Sequence, residues 1–307
     1  MVLKRAVVAL LLAAVGAQLA SAQEADNFER KEDVIYGRKD GLAMTMDVFT
    51  PKENKNGAAI IFCVSGGWVS AHAAIHPSFV QEFLNRGYTV FAVVHGSQPK
   101  YTNLEAVSDM NRAVRYIRTH AADYGVDPER FGITGASAGG HLSLMIGTAG
   151  AEGSADAMDA VDKASSRVQA VACFFPPTDF LNYGKDGENA MGRGVLANFR
   201  APFDYQYYDD AKQEFEPITD EQKLDELAHT ISPVYQVTAD DPPTLIIHGD
   251  ADTLVPIQQA QLVIDKLKGA GVEAELVTKP GAGHGWPDLL KDMATLGDWF
   301  DKHLGKK

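Results

Sequence analysis

A serine, an aspartate and a histidine could together perform nucleophilic catalysis in this sequence of 307 residues. Ser137 lies between Gly135 and Gly139, directly after a strand-like run and directly before an apolar helical run. Glycine at both flanks permits a tight turn that leaves the serine hydroxyl clear at the end of the strand. The pattern predicts a nucleophile elbow, in which the N–H of Ala138 at the helix N-terminus favours developing negative charge.

A serine hydroxyl is a weak nucleophile and needs a base that is itself oriented by a third group. His284 lies between two glycines just beyond the last predicted strand, and Asp250 and Asp252 follow the strand before it. The order serine, acid, histidine is typical of one group of catalytic triads. On these residues alone, an ordinary glycine-rich turn at Ser137 and an exposed loop histidine at position 284 stay open as alternatives.

Length and composition predict one large α/β domain, because 45% apolar and 22% charged residues in a chain of this length allow a full core. Apolar runs of strand length alternate with amphipathic helical patterns, which predicts a mostly parallel sheet with helices on both faces. Residues 24–39 are predicted to be an exposed lead-in, and 42–48 a half-buried edge strand. The further predicted strands are 58–64, 88–94, 168–175, 243–249 and 274–279, and the helices are 77–86, 107–117, 141–148, 257–268 and 286–303.

Residues 181–231 break this alternation with scattered glycines, acidic clusters and several aromatic side chains. We interpret the segment as an insertion above the sheet. Its alternatives are a substrate-contacting lid and a surface excursion without function. The number of aromatic residues outside a core element favours the lid.

The N-terminus has the pattern of a secretory signal peptide over residues 1–22, with a basic start, an apolar stretch and a small-residue cleavage site. The apolar stretch is too short for a membrane anchor, so we expect a secreted or periplasmic domain of residues 23–307. A net charge of −13 disfavours binding to nucleic acid. Nothing in the sequence indicates an oligomeric state.

Three motifs, Gly-Ala-Ser-Ala-Gly-Gly-His, His-Gly-x-x-Asp-x-x-Val-Pro and Gly-His-Gly-Trp, resemble the esterase/lipase branch of the α/β-hydrolase superfamily. The closest resemblance is to secreted feruloyl and acetyl-xylan carbohydrate esterases, and prolyl-oligopeptidase-like domains are a more distant match. The resemblance implies an α/β-hydrolase fold with Ser137 as nucleophile, His284 as base and Asp252, rather than Asp250, as acid. It also implies that Cys63 and Cys173, expected as buried thiols, lie on strands flanking the elbow strand, beyond disulfide reach.

In that branch, a His-Gly-Gly-Gly-Trp loop supplies oxyanion donors, and here the matching stretch Val64–Trp68 is Val-Ser-Gly-Gly-Trp. The resemblance implies N–H donors at Gly66 and Gly67 beside that of Ala138. The aromatic Trp68, beside this loop, is predicted to contact the substrate. A second departure follows the next strand, where the branch often has Asp-Tyr-Arg-Leu and this chain has His95-Gly-Ser-Gln.

The sequence therefore predicts a secreted serine esterase acting on short acyl or aryl esters, such as acetylated or feruloylated carbohydrate. No cofactor is predicted, and no metal site, because His248, Asp250 and Asp252 lack zinc-site spacing with a further ligand nearby. A prolyl-oligopeptidase-like peptidase and a non-catalytic binding protein on a hydrolase scaffold are the alternatives.

Overall fold

The computed structural model describes residues 27–305, so the predicted export segment lies outside the described residues. The strands within this range are β1 Phe28–Lys39, β2 Leu42–Pro51, β3 Ala59–Val64, β4 Thr89–Val94, β5 Phe131–Thr134, β6 Ala170–Phe174, β7 Gln206–Asp209, β8 Glu214–Pro217, β9 Thr244–Gly249 and β10 Ala274–Lys279. The helices are α1 Gln81–Asn85, α2 Asn103–Thr119, α3 Ala138–Ala149, α4 Glu221–Thr230, α5 Gln258–Gly269 and α6 Met293–Leu304.

Eight strands form one sheet in the order β1-β2-β4-β3-β5-β6-β9-β10, and β7 and β8 form a separate hairpin. The six strands from β4 to β10 in this order run parallel, whereas β2 is antiparallel to both of its neighbours. A parallel sheet requires cover on both faces. Helices α2, α3 and α5 bury their apolar sides on one face, and α1 and α6 on the other. The predicted α/β-hydrolase fold class is confirmed.

The central strands confirm the expected apolar runs. All four residues of β5 and all five of β6 are buried, so these two strands carry the centre of the sheet. Cys63 on β3 and Cys173 on β6 are buried free thiols on either side of β5, as expected. Among residues 27–305, no helix combines the length and the apolar character needed to span a membrane.

The predicted exposed lead-in is wrong, because most of it forms edge strand β1. Val34 and Tyr36 point into the core while the neighbouring Asp33 and Ile35 are exposed, and the Tyr36 hydroxyl donates to the carbonyl of Val94 at 2.8 Å. Two irregularities in the pairing of β1 with β2 interrupt the alternation of buried and exposed residues. The alternation typical of a strand was therefore not recognisable in this charged segment of the sequence. Because β1 occupies the edge, β2 is the second strand of the sheet rather than its edge strand.

Two predicted helices are shorter than expected. The segment 77–86 contains a 3₁₀ turn at Pro77–Phe79 followed by the short helix α1. Before α6 the chain forms a 3₁₀ turn at Leu289–Asp292, so that helix begins seven residues later than the pattern indicated.

The insertion of residues 181–231 has an apolar core of its own. Phe203, Tyr205 and Ile231 are buried there against Trp68 of the loop after β3. By contrast, Tyr207, Tyr208 and Phe215 on the β7–β8 hairpin are 49%, 49% and 68% exposed. Part of the aromatic content thus covers the loop after β3, and part faces solvent.

The elbow between β5 and α3 depends on the absence of a side chain at Gly135. A Cβ there would lie 2.5 Å from the carbonyl carbon of Gly139, which is backbone and cannot yield easily. We expect Gly135→Ala to lower the free energy of unfolding by about 1–3 kcal/mol through overpacking. Gly269→Ala is the matched control, because a Cβ at that position would have no atom within 4 Å. Urea unfolding of both variants checks this, and equal stability of the two would contradict it.

Candidate active site

The candidate nucleophile lies on a strained turn. Ser137 joins β5 to α3 with φ 55° and ψ −119°, a conformation that non-glycine residues rarely adopt. The turn persists because its neighbours approach very closely: a Cβ on Gly139 would lie 2.7 Å from the carbonyl oxygen of Cys63. The strain and the close packing together hold the hydroxyl at the carboxyl end of the sheet, as the elbow pattern predicted.

The predicted base and acid come to this hydroxyl from the loops after β10 and β9. His284 Nε2 lies 2.9 Å from Ser137 Oγ, and His284 Nδ1 lies 2.7 Å from Asp252 Oδ2. A carboxylate only accepts, so Nδ1 carries the hydrogen and Nε2 is free to accept the serine proton. This arrangement can deprotonate a serine as it attacks an electrophilic carbon.

Asp252 is held as an anion by several donors. Its Oδ1 accepts the N–H groups of Leu254 and Val255, both at 2.9 Å. Burial by itself raises the pKa of this carboxyl. The contacts from His248, His284 and the Val255 N–H outweigh burial, so the pKa of Asp252 lies well below its usual range. A permanently ionised acid can stabilise a positively charged His284.

Asp250 has a different placement, although it lies only two residues before Asp252. Its side chain is exposed and its Oδ1 accepts the N–H of Gly281 at 2.6 Å. Asp250 therefore supports the loop that carries His284, whereas Asp252 contacts the imidazole directly. The structure therefore places Asp252, the acid that the resemblance implied, against the imidazole of His284.

His248 is a component of the site that sequence reasoning did not place there. It is fully buried, and its Nε2 lies 2.7 Å from the Val255 carbonyl and 3.4 Å from Asp252 Oδ2. A carbonyl only accepts, so this nitrogen carries the hydrogen and donates towards both oxygens. The His-Gly-x-x-Asp spacing was the available signal, since it puts both side chains at the end of one strand.

The structure contradicts the predicted role of the Gly66 N–H as an oxyanion donor. Its N–H donates to the carbonyl of Val69 at 3.0 Å, and Val69 N–H donates back to Gly66. These two bonds close a tight turn in which Gly67 and Trp68 both have positive φ, of 56° and 58°. These φ values are those of a type I′ turn, and the bond to the Val69 carbonyl means that the Gly66 N–H is already used.

The N–H groups of Gly67 and Ala138 remain as candidate oxyanion donors. Neither has a hydrogen-bond acceptor among residues 27–305. Ala138 is the first residue of α3, so its N–H has no partner within the helix and carries the positive end of the helix dipole.

Ser65 and His95, which occur where the esterase pattern has other residues, are hydrogen-bond partners. Ser65 Oγ lies 2.8 Å from His95 Nε2, and His95 Nδ1 lies 2.8 Å from the carbonyl of Gly96. The carbonyl fixes the hydrogen on Nδ1, so Ser65 donates to Nε2. Burial lowers the pKa of His95 to about 4, which keeps the ring neutral. The serine after β3 and the histidine after β4 thus form one polar contact beneath the oxyanion loop.

The segment around His95 also fixes the rest of that loop. Ser70 donates to the Val64 carbonyl at 2.5 Å, and Ser70 in turn accepts the His95 N–H at 3.2 Å. Gln98 donates its side chain to the Gly67 carbonyl at 3.0 Å and its backbone N–H to the Trp68 carbonyl at 3.1 Å. Sequence reasoning had assigned no role to residues 95–98, and the structure shows that they hold the loop after β3.

Trp68 lies beneath the loop rather than on an exposed rim. It is 2% exposed, packs edge-on against Phe203, and donates from Nε1 to His141 Nδ1 at 3.2 Å. His141 in turn donates from Nε2 to the carbonyl of Ile231 at 2.7 Å. This placement does not support the predicted substrate contact of Trp68. Instead, Trp68 connects the oxyanion loop to the elbow helix through His141 and to the insertion through Phe203.

One group of possible metal ligands is present among the described residues, and it contains no member of the candidate triad. Glu32, Asp47 and His72 bring one ligand atom each within 4.8 Å of the others. Asp47 Oδ2 already accepts two N–H groups from Arg30, at 2.8 and 2.5 Å. A guanidinium bound to the buried carboxylate neutralises the charge that a cation would need.

The sheet order, the elbow and the loops that carry Asp252 and His284 define an α/β-hydrolase. The BD-FAE family matches residues 46–267, and the chain belongs to that family. Ser137 and Asp252 lie inside the matched range and His284 lies beyond it.

Individual relatives point to the same class. LipM of Mycobacterium tuberculosis, described as a probable carboxylic ester hydrolase, is 29% identical over 245 residues, or 77% of this chain and 51% of its own. The chain thus spans about half the length of the curated relatives it matches.

Two solved structures match over nearly all of both chains. A truncated carbohydrate esterase from gut microbiota has a TM-score of 0.72 at 27% identity, covering 93% of this chain and 100% of that one. Esterase 2 of Thermogutta terrifontis, in its butyrate-bound structure, has a TM-score of 0.69 at 27% identity, covering 92% and 96%. The chain therefore belongs to the esterase branch of the α/β-hydrolases, and its domain is of the ester-hydrolase type.

Two buried neutral histidines predict a pH dependence of stability. Burial lowers the pKa of both His95 and His141 to about 4, whereas an unfolded histidine titrates near 6.5. Below about 6.5 the unfolded chain binds more protons, so the free energy of unfolding should fall between pH 6.5 and pH 4, by on the order of 3 kcal/mol per histidine.

Urea unfolding across this pH range measures the effect. His141→Asn should make the dependence on pH shallower, and the exposed His76→Asn should leave it unchanged. A slope that is the same in the native protein and in both variants would contradict the assignment to buried histidine.

Proposed function

We propose that this protein is an exported serine esterase that hydrolyses carboxylic esters through an acyl-enzyme. The observation that carries the proposal is the continuous contact from Ser137 Oγ to His284 Nε2 and from His284 Nδ1 to Asp252. The N–H groups of Gly67 and Ala138, which have no acceptor among residues 27–305, add the means to stabilise an oxyanion. The esterase names of several relatives support the choice of an ester as the bond that is cleaved.

In the proposed acylation, Ser137 Oγ attacks the ester carbonyl carbon while its proton passes to His284 Nε2. The carbonyl oxygen becomes an oxyanion and accepts the N–H groups of Gly67 and Ala138. The carbon–oxygen bond to the alcohol then breaks, and His284 returns its proton to that leaving oxygen. The acyl group remains bound to Ser137.

In deacylation, a water molecule replaces the alcohol. His284 takes a proton from the water as its oxygen attacks the acyl carbon, and the oxyanion forms again at the same two N–H groups. The bond to Ser137 breaks, the serine recovers its proton from His284, and the carboxylic acid leaves. Asp252 stays ionised throughout and stabilises the imidazolium in both steps.

The proposed substrates are short acyl or aryl esters, including acetylated or feruloylated carbohydrate. Support comes from relatives that are named a carbohydrate esterase and an esterase with bound butyrate. We propose that the insertion of residues 181–231 forms a wall of the substrate cleft, since Phe199 reaches the oxyanion loop. A Cβ on Gly67 would lie 2.5 Å from the Phe199 ring.

The proposed location, secreted or periplasmic, rests on the signal-peptide pattern of residues 1–22. Acylated polysaccharide is an extracellular substrate class that fits this location. Fractionation of cells expressing the full chain tests it: the protein should appear outside the cytoplasm in a form shortened by about 22 residues. Cytoplasmic protein of full length would overturn it.

The proposal is tested by labelling with a fluorophosphonate and by assays on p-nitrophenyl acetate, acetyl-xylan, methyl ferulate and a peptide amide. We expect labelling at Ser137 and turnover of esters above amides. Folded protein that neither reacts with the probe nor cleaves esters would favour the binding-protein alternative. Amide turnover above ester turnover would favour the peptidase.

The two neighbouring aspartates allow a matched test of the acid. Asp252→Asn should lower kcat by about 10³-fold or more, because an amide favours the wrong tautomer of His284. Asp250→Asn should stay within a few-fold of the native enzyme, since Asp250 contacts backbone rather than the imidazole. Steady-state kinetics on p-nitrophenyl acetate measures both, and a larger loss in the Asp250 variant would refute the assignment.

The contact between Ser65 and His95 predicts a positioning effect. Ser65→Ala should lower kcat between about 10- and 100-fold with little change in KM, because a displaced oxyanion loop weakens transition-state contacts most. Ser78→Ala is the control, since it removes a serine–histidine contact of 2.7 Å in an exposed turn. Equal kinetics of the two variants would show that the Ser65 contact does not position the loop.

A further inference from the structure

The turn that carries the Gly67 N–H is in direct contact with an aromatic side chain of the insertion. Phe199 packs on Gly67 so closely that a Cβ added there would lie 2.5 Å from ring carbon Cε1 and 2.8 Å from ring carbon Cδ1. Both distances are shorter than real Cβ contacts, so the ring can reach the backbone here only because position 67 has no side chain.

Phe199 belongs to a compact segment that touches the turn at a second point. Phe199 ends the 3₁₀ turn Gly194–Phe199, and the next turn, Ala201–Phe203, begins two residues later. Phe203 of that second turn is buried and packs edge-on against Trp68 with ring centroids 5.3 Å apart. The insertion therefore contacts both central residues of the type I′ turn.

The peptide group between Gly66 and Gly67 supplies the candidate oxyanion donor. Its carbonyl oxygen accepts the Val69 N–H at 3.0 Å, so its own N–H points away from that bond. Glycine restricts its φ angle less than any other residue, so a peptide between two glycines can rotate unless something packs on it. The ring of Phe199 on Gly67 supplies that packing.

The direction of this N–H matters for the rate. An oxyanion donor acts when it lies about 2.7–3.1 Å from the position that the charged oxygen will occupy. A misplacement of about 1 Å can cost about 100-fold in rate. A side chain that fixes the peptide before Gly67 therefore influences the transition state without contacting the reacting atoms.

We propose that Phe199 is a positioning residue for the oxyanion hole, holding the Gly67 N–H towards the oxygen of the tetrahedral intermediate. This inference rests on the proposed esterase function, and it gives the insertion a role besides that of a cleft wall. A wall contact that is equal in substrate and transition state changes KM. A residue that aims a donor changes kcat, because the negative charge develops only in the transition state.

Kinetics on p-nitrophenyl acetate separate the two roles. Phe199→Ala should lower kcat between about 10- and 100-fold and leave KM within about threefold. Phenylboronic acid forms a tetrahedral adduct when Ser137 Oγ bonds to boron and its proton passes to His284. A boron-bound oxygen then takes the place of the oxyanion, so the affinity for this inhibitor should fall by a similar factor.

Phe215→Ala is the matched control, because Phe215 belongs to the same insertion but is 68% exposed on the β7–β8 hairpin. It should leave kcat, KM and the boronate affinity unchanged. A rise in KM with native kcat in Phe199→Ala would assign Phe199 to the cleft wall alone and would overturn the positioning role.

A double-mutant cycle tests the contact itself. The methyl group of Gly67→Ala would overlap the Phe199 ring, and Phe199→Ala removes that overlap. The loss of kcat in the double variant should therefore be at least about threefold smaller than the product of the two single losses. The cycle of Gly67→Ala with Phe215→Ala should be multiplicative. The strain of alanine at φ 56° is common to both cycles, and multiplicative losses in both would contradict the inference.

Thermal unfolding of every variant shows whether it folds. Should Phe199→Ala fail to fold, Phe199→Leu replaces it in both measurements, with a loss of kcat of about 3- to 10-fold expected because leucine covers Gly67 incompletely. Native kcat in a folded Phe199 variant would overturn the inference, while native ester turnover still supports the esterase. Absence of ester turnover and of fluorophosphonate labelling in the native protein would instead overturn the proposed function, and this inference with it.

Discussion

The approach of β5 to α3 without an intervening side chain is the constraint on which the site depends. The two elements come so close that a Cβ at Gly135 would lie 2.5 Å from the carbonyl carbon of Gly139. Ser137, at the turn between the two elements, has φ 55°, outside the regions that residues with side chains favour. The buried strands around β5 compensate for the strain, and Ser137 Oγ lies 2.9 Å from His284 Nε2.

The acid and the base do not need a comparable strain, because loops at the end of the sheet carry them. β9 and β10 run parallel to β5 and end at the same edge, which brings Asp252 and His284 to Ser137 across large distances in sequence. Asp252 is fixed by two backbone N–H groups and by buried His248, so its position does not depend on the flexible glycines around His284. The rigid partner is the acid, and the imidazole is oriented by it.

Much of this could be predicted from the sequence, because the central strands are apolar on both faces and the elbow has a strict residue pattern. The order of Ser137, Asp252 and His284 was readable, and the choice of Asp252 over Asp250 followed from a resemblance. Strand β1 was missed because its buried residues are few among charges and its pairing is irregular. The hydrogen bond of the Gly66 N–H within a turn could not be predicted either. Its partner depends on backbone φ angles, and a glycine in the sequence does not determine its own φ angle.

The two departures from the esterase pattern are best understood as one change. A serine where the pattern has glycine adds a partly buried hydroxyl at the end of β3, and a polar group withdrawn from water needs a hydrogen-bond partner. The neutral His95 supplies the acceptor, and burial holds it in that state. The contact between the two side chains connects the ends of β3 and β4. The loop that presents the Gly67 N–H therefore rests on a contact between two neighbouring strands rather than on the histidine and glycine of the usual motif.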